Sequence, residues 1–201
     1  MTGEIEFWFD FSSPYAYLAS ERVEELAARH GRRVVWRPFL LGIAFRAEGT
    51  KPLTHYDAKG RYSTHDFARS ARLWGIPFAM PDPFPAAAQD ASRLFIWLDR
   101  QDHALAVTWL HAIYRAYFVD NRFIGDRDVV LQVAGELGID RQQAAQAIAD
   151  QAIRDRLREL TQEAVGDKGV FGAPTMIADG EMFWGADRID MLDQWLTRGG
   201  W

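Results

Sequence analysis

The chain has 201 residues, 48% hydrophobic and 25% charged, with 23 lysines and arginines against 28 aspartates and glutamates. This composition excludes a disordered or fibrous chain, and a net charge of −5 with interspersed signs argues against a nucleic-acid binder, which carries a basic face. The absence of cysteine excludes disulfides, thiolate metal sites, iron–sulfur clusters and thiol nucleophiles together, so any sulfur chemistry must use a sulfur brought from outside.

The N-terminus has no basic stretch before its apolar one, and no apolar run approaches the roughly 18 residues that span a bilayer, so a cytoplasmic protein is expected. Glu4–Asp10 alternates, with Ile5, Phe7 and Phe9 on one face, and predicts a strand. Ser13 suits a helix N-cap and Pro14 the first helical position, where no N–H is missed. Tyr15, Leu18, Ala19, Val23 and Leu26 give the buried stripe of that helix, which Gly31 closes. Arg33–Arg37 reads as a second strand, stopped by Pro38, so the opening 38 residues spell β-α-β and a parallel pair.

From Leu41 to Tyr62 the sequence reads as loop, punctuated by Gly42, Gly49, Pro52 and Gly60. Helices are predicted over Ser63–Leu73, Ala86–Arg100 and Ala104–Phe118. In the last of these, Ala106, Trp109, Leu110, Ile113, Tyr114 and Tyr117 share one face. Further helices are expected at Asp126–Leu137, Arg141–Asp150 (with Asp140 as N-cap) and Ala152–Val165. After a loop at Val165–Gly169, Asp179-Gly180 separates two short apolar runs, a strong hairpin signal, and Asp187–Leu196 reads as a final helix. The expected order is βαβ, about a hundred residues of mainly helix, then ββα.

That order, with Pro174 opening the third strand, is the thioredoxin layout. It predicts an α/β fold: a thioredoxin-like βαβ–ββα core from residues 1–40 and 166–201, and a large all-helical insertion over 41–165. The stretch Phe9-Asp10-Phe11-Ser12-Ser13-Pro14-Tyr15-Ala16-Tyr17-Leu18 resembles the opening of kappa-class glutathione transferases and 2-hydroxychromene-2-carboxylate isomerases. Gly169-Val170-Phe171-Gly172-Ala173-Pro174-Thr175 and Asp179–Arg188 resemble those isomerases more strongly still. In the related disulfide oxidoreductases a C-P-x-C motif opens the first helix; here Ser13 and Ala16 stand in its thiol positions, which excludes disulfide exchange.

The resemblance implies glutathione as cofactor. Ser13 would contact its sulfur, Ala173 would pair its backbone with the cysteinyl unit, and Pro174 would be the cis-proline. Ala186 and Asp187 would hold the γ-glutamyl end. Thr50 falls where relatives often carry asparagine before a basic residue, here Lys51. It also implies a glutathione-dependent isomerase of an aromatic-degradation intermediate, with a small aromatic substrate. A kappa-like transferase or peroxidase, or a silent thiol- or peptide-binding protein, stand as alternatives. A homodimer is compatible with the sequence and not specified by it.

Physical magnitudes favour Ser13 as a donor to a bound thiolate. A helix N-terminus stabilises an anion by about 0.3–1 kcal/mol, up to ~2 when partly buried. A hydrogen bond to a charged acceptor adds about 1.5–3 kcal/mol. Together, roughly 2–4 kcal/mol would bring a thiol from a pKa of about 8.5 to near 6–7. As a nucleophile Ser13 lacks both a Gly-x-Ser-x-Gly elbow and a histidine at any diagnostic spacing. The plain alternatives are an ordinary helix cap for Ser13, an edge-strand proline for Pro174, a helix cap for Asp187 and solvated charges for Lys51 and Arg188. His65-Asp66 and Asp102-His103 lack a third ligand for a metal. Phe84, Trp97, Trp109 and Trp184 are candidates to line an apolar slot, each with core packing as its simpler role.

Overall fold

A computed structural model describes residues 3–201. Strand β1 (Glu4–Phe9) is followed by α1 (Pro14–Arg29) and β2 (Arg33–Pro38), and β1 and β2 pair in parallel from Glu4↔Arg33 to Phe9↔Pro38. Strand β3 (Thr175–Ala178) runs antiparallel to β1, and β4 (Glu181–Trp184) antiparallel to β3, giving a sheet in the order β2-β1-β3-β4. The β3–β4 turn has Asp179 at φ 54° and Gly180 at φ 84°. Positive φ at both central residues matches a two-residue hairpin loop of the primed type, which explains the Asp-Gly pair.

Ile5, Phe7 and Phe9 are fully buried as their alternation predicts, but Trp8 on the opposite face is equally buried. A central strand covered on both faces explains why alternation is weak at its C-terminal end. Ser13 caps α1, its Oγ accepting from the Ala16 N–H at 3.2 Å, with Pro14 at the first helical position.

Between β2 and β3 the structure corrects the loop expected over Leu41–Tyr62. Residues Leu41–Ala47 form helix α2, Leu53–His55 a 3₁₀ turn, and α3 begins at Asp57 and runs to Trp74. Gly49 (φ 64°) and Thr50 close α2: the Gly49 N–H donates to Arg46 O and the Thr50 N–H to Phe45 O. This is a Schellman end, so these glycines punctuate short helices rather than a long loop.

Helices α4 (Gln89–Asp99), α5 (His103–Phe118), α6 (Arg127–Glu136), α7 (Arg141–Ala149) and α8 (Gln151–Gln162) follow. Asp102, Asp126, Asp140 and Asp150 each cap the helix that follows. A π-helical turn, Glu163–Asp167, carries α8 into the loop expected over Val165–Gly169. The last helix, α9, spans Ile189–Arg198 rather than Asp187–Leu196, and Ala186–Arg188 form a 3₁₀ turn before it. Among the described residues no helix is long and apolar enough to cross a membrane.

The core is one continuous cluster from β1 through the helical stretch. Phe9 meets Phe11, Phe95 of α4 and Tyr114 of α5 at ring-centre distances of 5.1, 5.4 and 6.3 Å. Tyr17 of α1 lies 5.7 Å from Tyr114 and stacks on Phe118 at 5.4 Å. Such tilted and stacked pairs each add about 0.5–1.5 kcal/mol beyond the area they bury. They seat α4 and α5 against the end of β1, where α1 begins.

Candidate active site

The carboxyl end of β1 delivers Asp10 to Ser13 directly to the start of α1. The Ser13 side chain is buried, with 4% of its surface exposed. Its Oγ donates to the Ala173 carbonyl at 2.9 Å across 160 residues of sequence. Ala173–Pro174 is a cis peptide, as expected, and Ala173 is itself buried. The Gly185 N–H donates to Pro174 O at 3.0 Å, which brings the turn bearing Ala186 and Asp187 beside the proline. Gly172 lies under the Trp184 indole, where any Cβ would collide with the ring.

Four of the predicted site residues are therefore tied together by named bonds or by the turn that follows them: Ser13, Ala173, Pro174 and Ala186. Asp187 sits on the same turn, but it does not cap α9; its carboxylate accepts from the Arg188 side chain at 2.9 Å and is largely exposed. Thr50 is separate. It is exposed, and both its N–H and its hydroxyl turn back to Phe45 O, at 2.8 and 3.4 Å. Lys51 places its Nζ 4.8 Å from the Tyr56 ring centre.

Tyr15, two residues after Ser13, was placed by its sequence in the buried stripe of α1. It is only partly buried, and its hydroxyl donates to Asp66 of α3 at 2.6 Å. Burial, then the hydrogen bond and charge of Asp66, push the phenol up, with Asp187 contributing through its charge, so Tyr15 stays protonated. Asp66 also accepts from Arg69, which donates to the Tyr62 hydroxyl at 3.0 Å. The sequence gives no sign of the Tyr15–Asp66 pair, whose members lie 51 residues apart.

In the candidate metal pairs, Asp66 accepts from Tyr15, Asp102 caps α5 and His103 bonds Asp99 at 2.6 Å. Among the slot candidates, Trp109 is pure core, fully buried with its Nε1–H donating to Ala91 O at 3.2 Å. Phe84 stacks on Tyr117 at 6.4 Å. Trp184 is exposed and pairs edge-on with Phe171 at 4.7 Å.

The donor set suits a thiol ligand presented by a peptide. A buried hydroxyl at a helix start lies within hydrogen-bond distance of a main-chain carbonyl, a pairing of donor and acceptor that a peptide-like ligand can exchange for its own groups.

The sheet order and the cis-proline define a protein of the thioredoxin fold class, whose first helix opens here with Ser-Pro-Tyr-Ala and so carries no thiol. The chain belongs to the family of DSBA-like thioredoxin domains, whose model matches residues 4–197. Among curated relatives, it is 29% identical over 198 residues to a 2-hydroxychromene-2-carboxylate isomerase of Sphingobium xenophagum, covering 98% of this chain and 99% of that one. It is 27% identical over 212 residues to glutathione S-transferase kappa 2 of Caenorhabditis elegans, covering 96% and 91%. Among solved structures, a 2-hydroxychromene-2-carboxylate isomerase superposes with a TM-score of 0.87 at 28% identity, over 97% of this chain and 95% of that one. The resemblance read from the two short motifs thus extends over nearly the whole chain.

Proposed function

We propose that this protein is a glutathione-dependent isomerase acting on a ring-opened aromatic compound of the 2-hydroxychromene-2-carboxylate kind. The observation that carries the reading is the buried Ser13 hydroxyl, at the start of α1 and 2.9 Å from the carbonyl before the cis-proline. When bound, glutathione supplies a thiolate able to add reversibly to a conjugated C=C, so that rotation about the resulting single bond precedes its release.

The chain's own residues supply the setting. Ser13 has one hydroxyl proton, now given to Ala173 O, while its oxygen accepts the Ala16 N–H. Rotation about Cβ–Oγ would turn that proton to a sulfur anion without giving up the Ala16 bond. Ala173 O would then be free to accept an N–H from a peptide-like ligand. When the site empties, the hydroxyl returns to Ala173 O, so a buried donor is never left unpaired, a fault that would cost about 1–3 kcal/mol. Ala186 and Asp187 would hold the ammonium end, Asp187 offering the negative charge.

The test is interconversion of hydroxychromene carboxylate by purified protein with and without glutathione. Turnover that needs glutathione and leaves total thiol unchanged supports the reading; turnover indifferent to glutathione removes it. The kappa-class likeness favours a second reading in which thiol is consumed, and net loss of thiol with chlorodinitrobenzene would select it.

A further inference from the structure

Below the Ser13–Ala173 pair lies Asp10, whose role no motif signals. It is buried between β1 and α1. Its Oδ1 accepts the Ser12 N–H at 2.8 Å and the Ser12 hydroxyl at 2.7 Å, and its Oδ2 accepts the Leu41 N–H, in the first turn of α2, at 2.9 Å. Its carbonyl accepts the Ser13 N–H at 3.0 Å and the Tyr114 hydroxyl at 3.3 Å. One residue thus joins the end of β1, the cap of α1, the start of α2 and the middle of α5.

Two consequences follow from donor and acceptor chemistry. First, an acceptor is needed on both carboxyl oxygens, so asparagine cannot substitute: its NH₂ would face the Leu41 N–H. Second, the single proton of the Ser12 hydroxyl is committed to Asp10. The Ser13 proton is held by a neutral carbonyl rather than a carboxylate, so of the two adjacent serines Ser13 is the freer to turn its proton to a ligand. Burial pushes the Asp10 carboxyl up, against the three hydrogen bonds that favour its ionised form. A turn needing only a local cap would not require a fully buried carboxyl.

We propose that Asp10 is a positioning residue for the thiolate site, holding Ser12 and the start of α2 so that Ser13 alone addresses the sulfur. The inference rests on the glutathione reading above. Its test compares wild type, Asp10→Asn and Ser12→Ala, measuring kcat and KM together with the pKa of bound glutathione from thiolate absorbance. Misplacement by about 1 Å can cost of the order of 10²-fold, so Asp10→Asn should lower kcat by roughly 10- to 10²-fold with a smaller change in KM. The bound thiol should titrate closer to free glutathione. Ser12→Ala, which keeps the Leu41 bond, should fall between the two.

A carboxylate acting through charge alone predicts the reverse: its removal would make the bound thiol more acidic. That result, or an unchanged kcat and thiol pKa in folded Asp10→Asn, overturns the proposal. Should Asp10→Asn fail to fold, an unchanged Ser12→Ala overturns it equally. If wild type itself does not acidify glutathione, the functional reading falls first and takes this inference with it.

Discussion

The buried part of the candidate site and the exposed link that bears Thr50 and Lys51 are built differently. On one side, Ser13, Ala173 and Pro174 are buried and joined by bonds between residues up to 160 positions apart, on the ends of β1, α1 and β3. On the other, Thr50 and Lys51 lie on an exposed link between the seven-residue α2 and a 3₁₀ turn, held mainly by bonds within a few residues. Groups set by sheet and helix hold their positions, whereas the exposed link can change shape without moving them.

Four changes would sharpen or break that contrast. The largest effect is expected for Ser13→Ala. Loss of one donor to a developing or resident anion typically costs 10²–10³-fold, so kcat should fall by about 10²-fold, read by initial rates with saturating glutathione. A loss below about threefold would put the chemistry elsewhere. Next, Asp187→Asn should raise KM for glutathione by about tenfold while melting temperature stays near wild type, because the Asp187–Arg188 pair is exposed and worth little. An equal fall in kcat would place Asp187 at the reacting end instead.

A smaller effect concerns the seam between α1 and α5, where the His111 ring bonds Glu21 at 3.0 Å and Glu24 at 3.4 Å. Burial opposes charge on His111, but the two carboxylates outweigh it and raise its pKa above 6.5. Because the folded value is the higher one, the stabilisation is fully present below about pH 6.5 and is lost as pH rises through the folded value. Wild type should therefore melt above His111→Gln in acid, by up to about 1 kcal/mol, and the gap should close in mild alkali. A gap independent of pH would show that packing alone, including the edge-on contact with Trp36, accounts for it. The smallest effect is expected for Thr50→Ala. The Schellman bond comes from the main chain and survives, so rates and KM should stay within about twofold. A tenfold rise in KM would bring the exposed link into the cofactor site.

How far the sequence revealed this arrangement follows the same division. Period-two and period-3.6 patterns, the Asp-Gly turn and the Ser13 and Asp140 caps are local signals, and they gave the strands and most helices. The span from Leu41 to Tyr62 misled because α2 is only seven residues long and its cap, Leu40, offers no side-chain bond. Ser13 and Ala173 were recognisable through their motifs, but the bond between them depends on β3 lying beside β1. Asp10 and the Tyr15–Asp66 pair were hidden for a related reason: their partners come from elements that meet only after folding. Asp187 was read as the first residue of the last helix, which starts two residues later at Ile189 because a 3₁₀ turn precedes α9.

The Phe9, Phe95 and Tyr114 cluster makes the helical stretch part of the same cooperative body as the sheet. Excising it would leave the inner face of β1 naked to water, so no minimal thioredoxin-sized fragment of this chain should survive by itself. Tyr114 also reaches the Asp10 carbonyl, so a lesion in the middle of α5 would be felt at the first turn of α1.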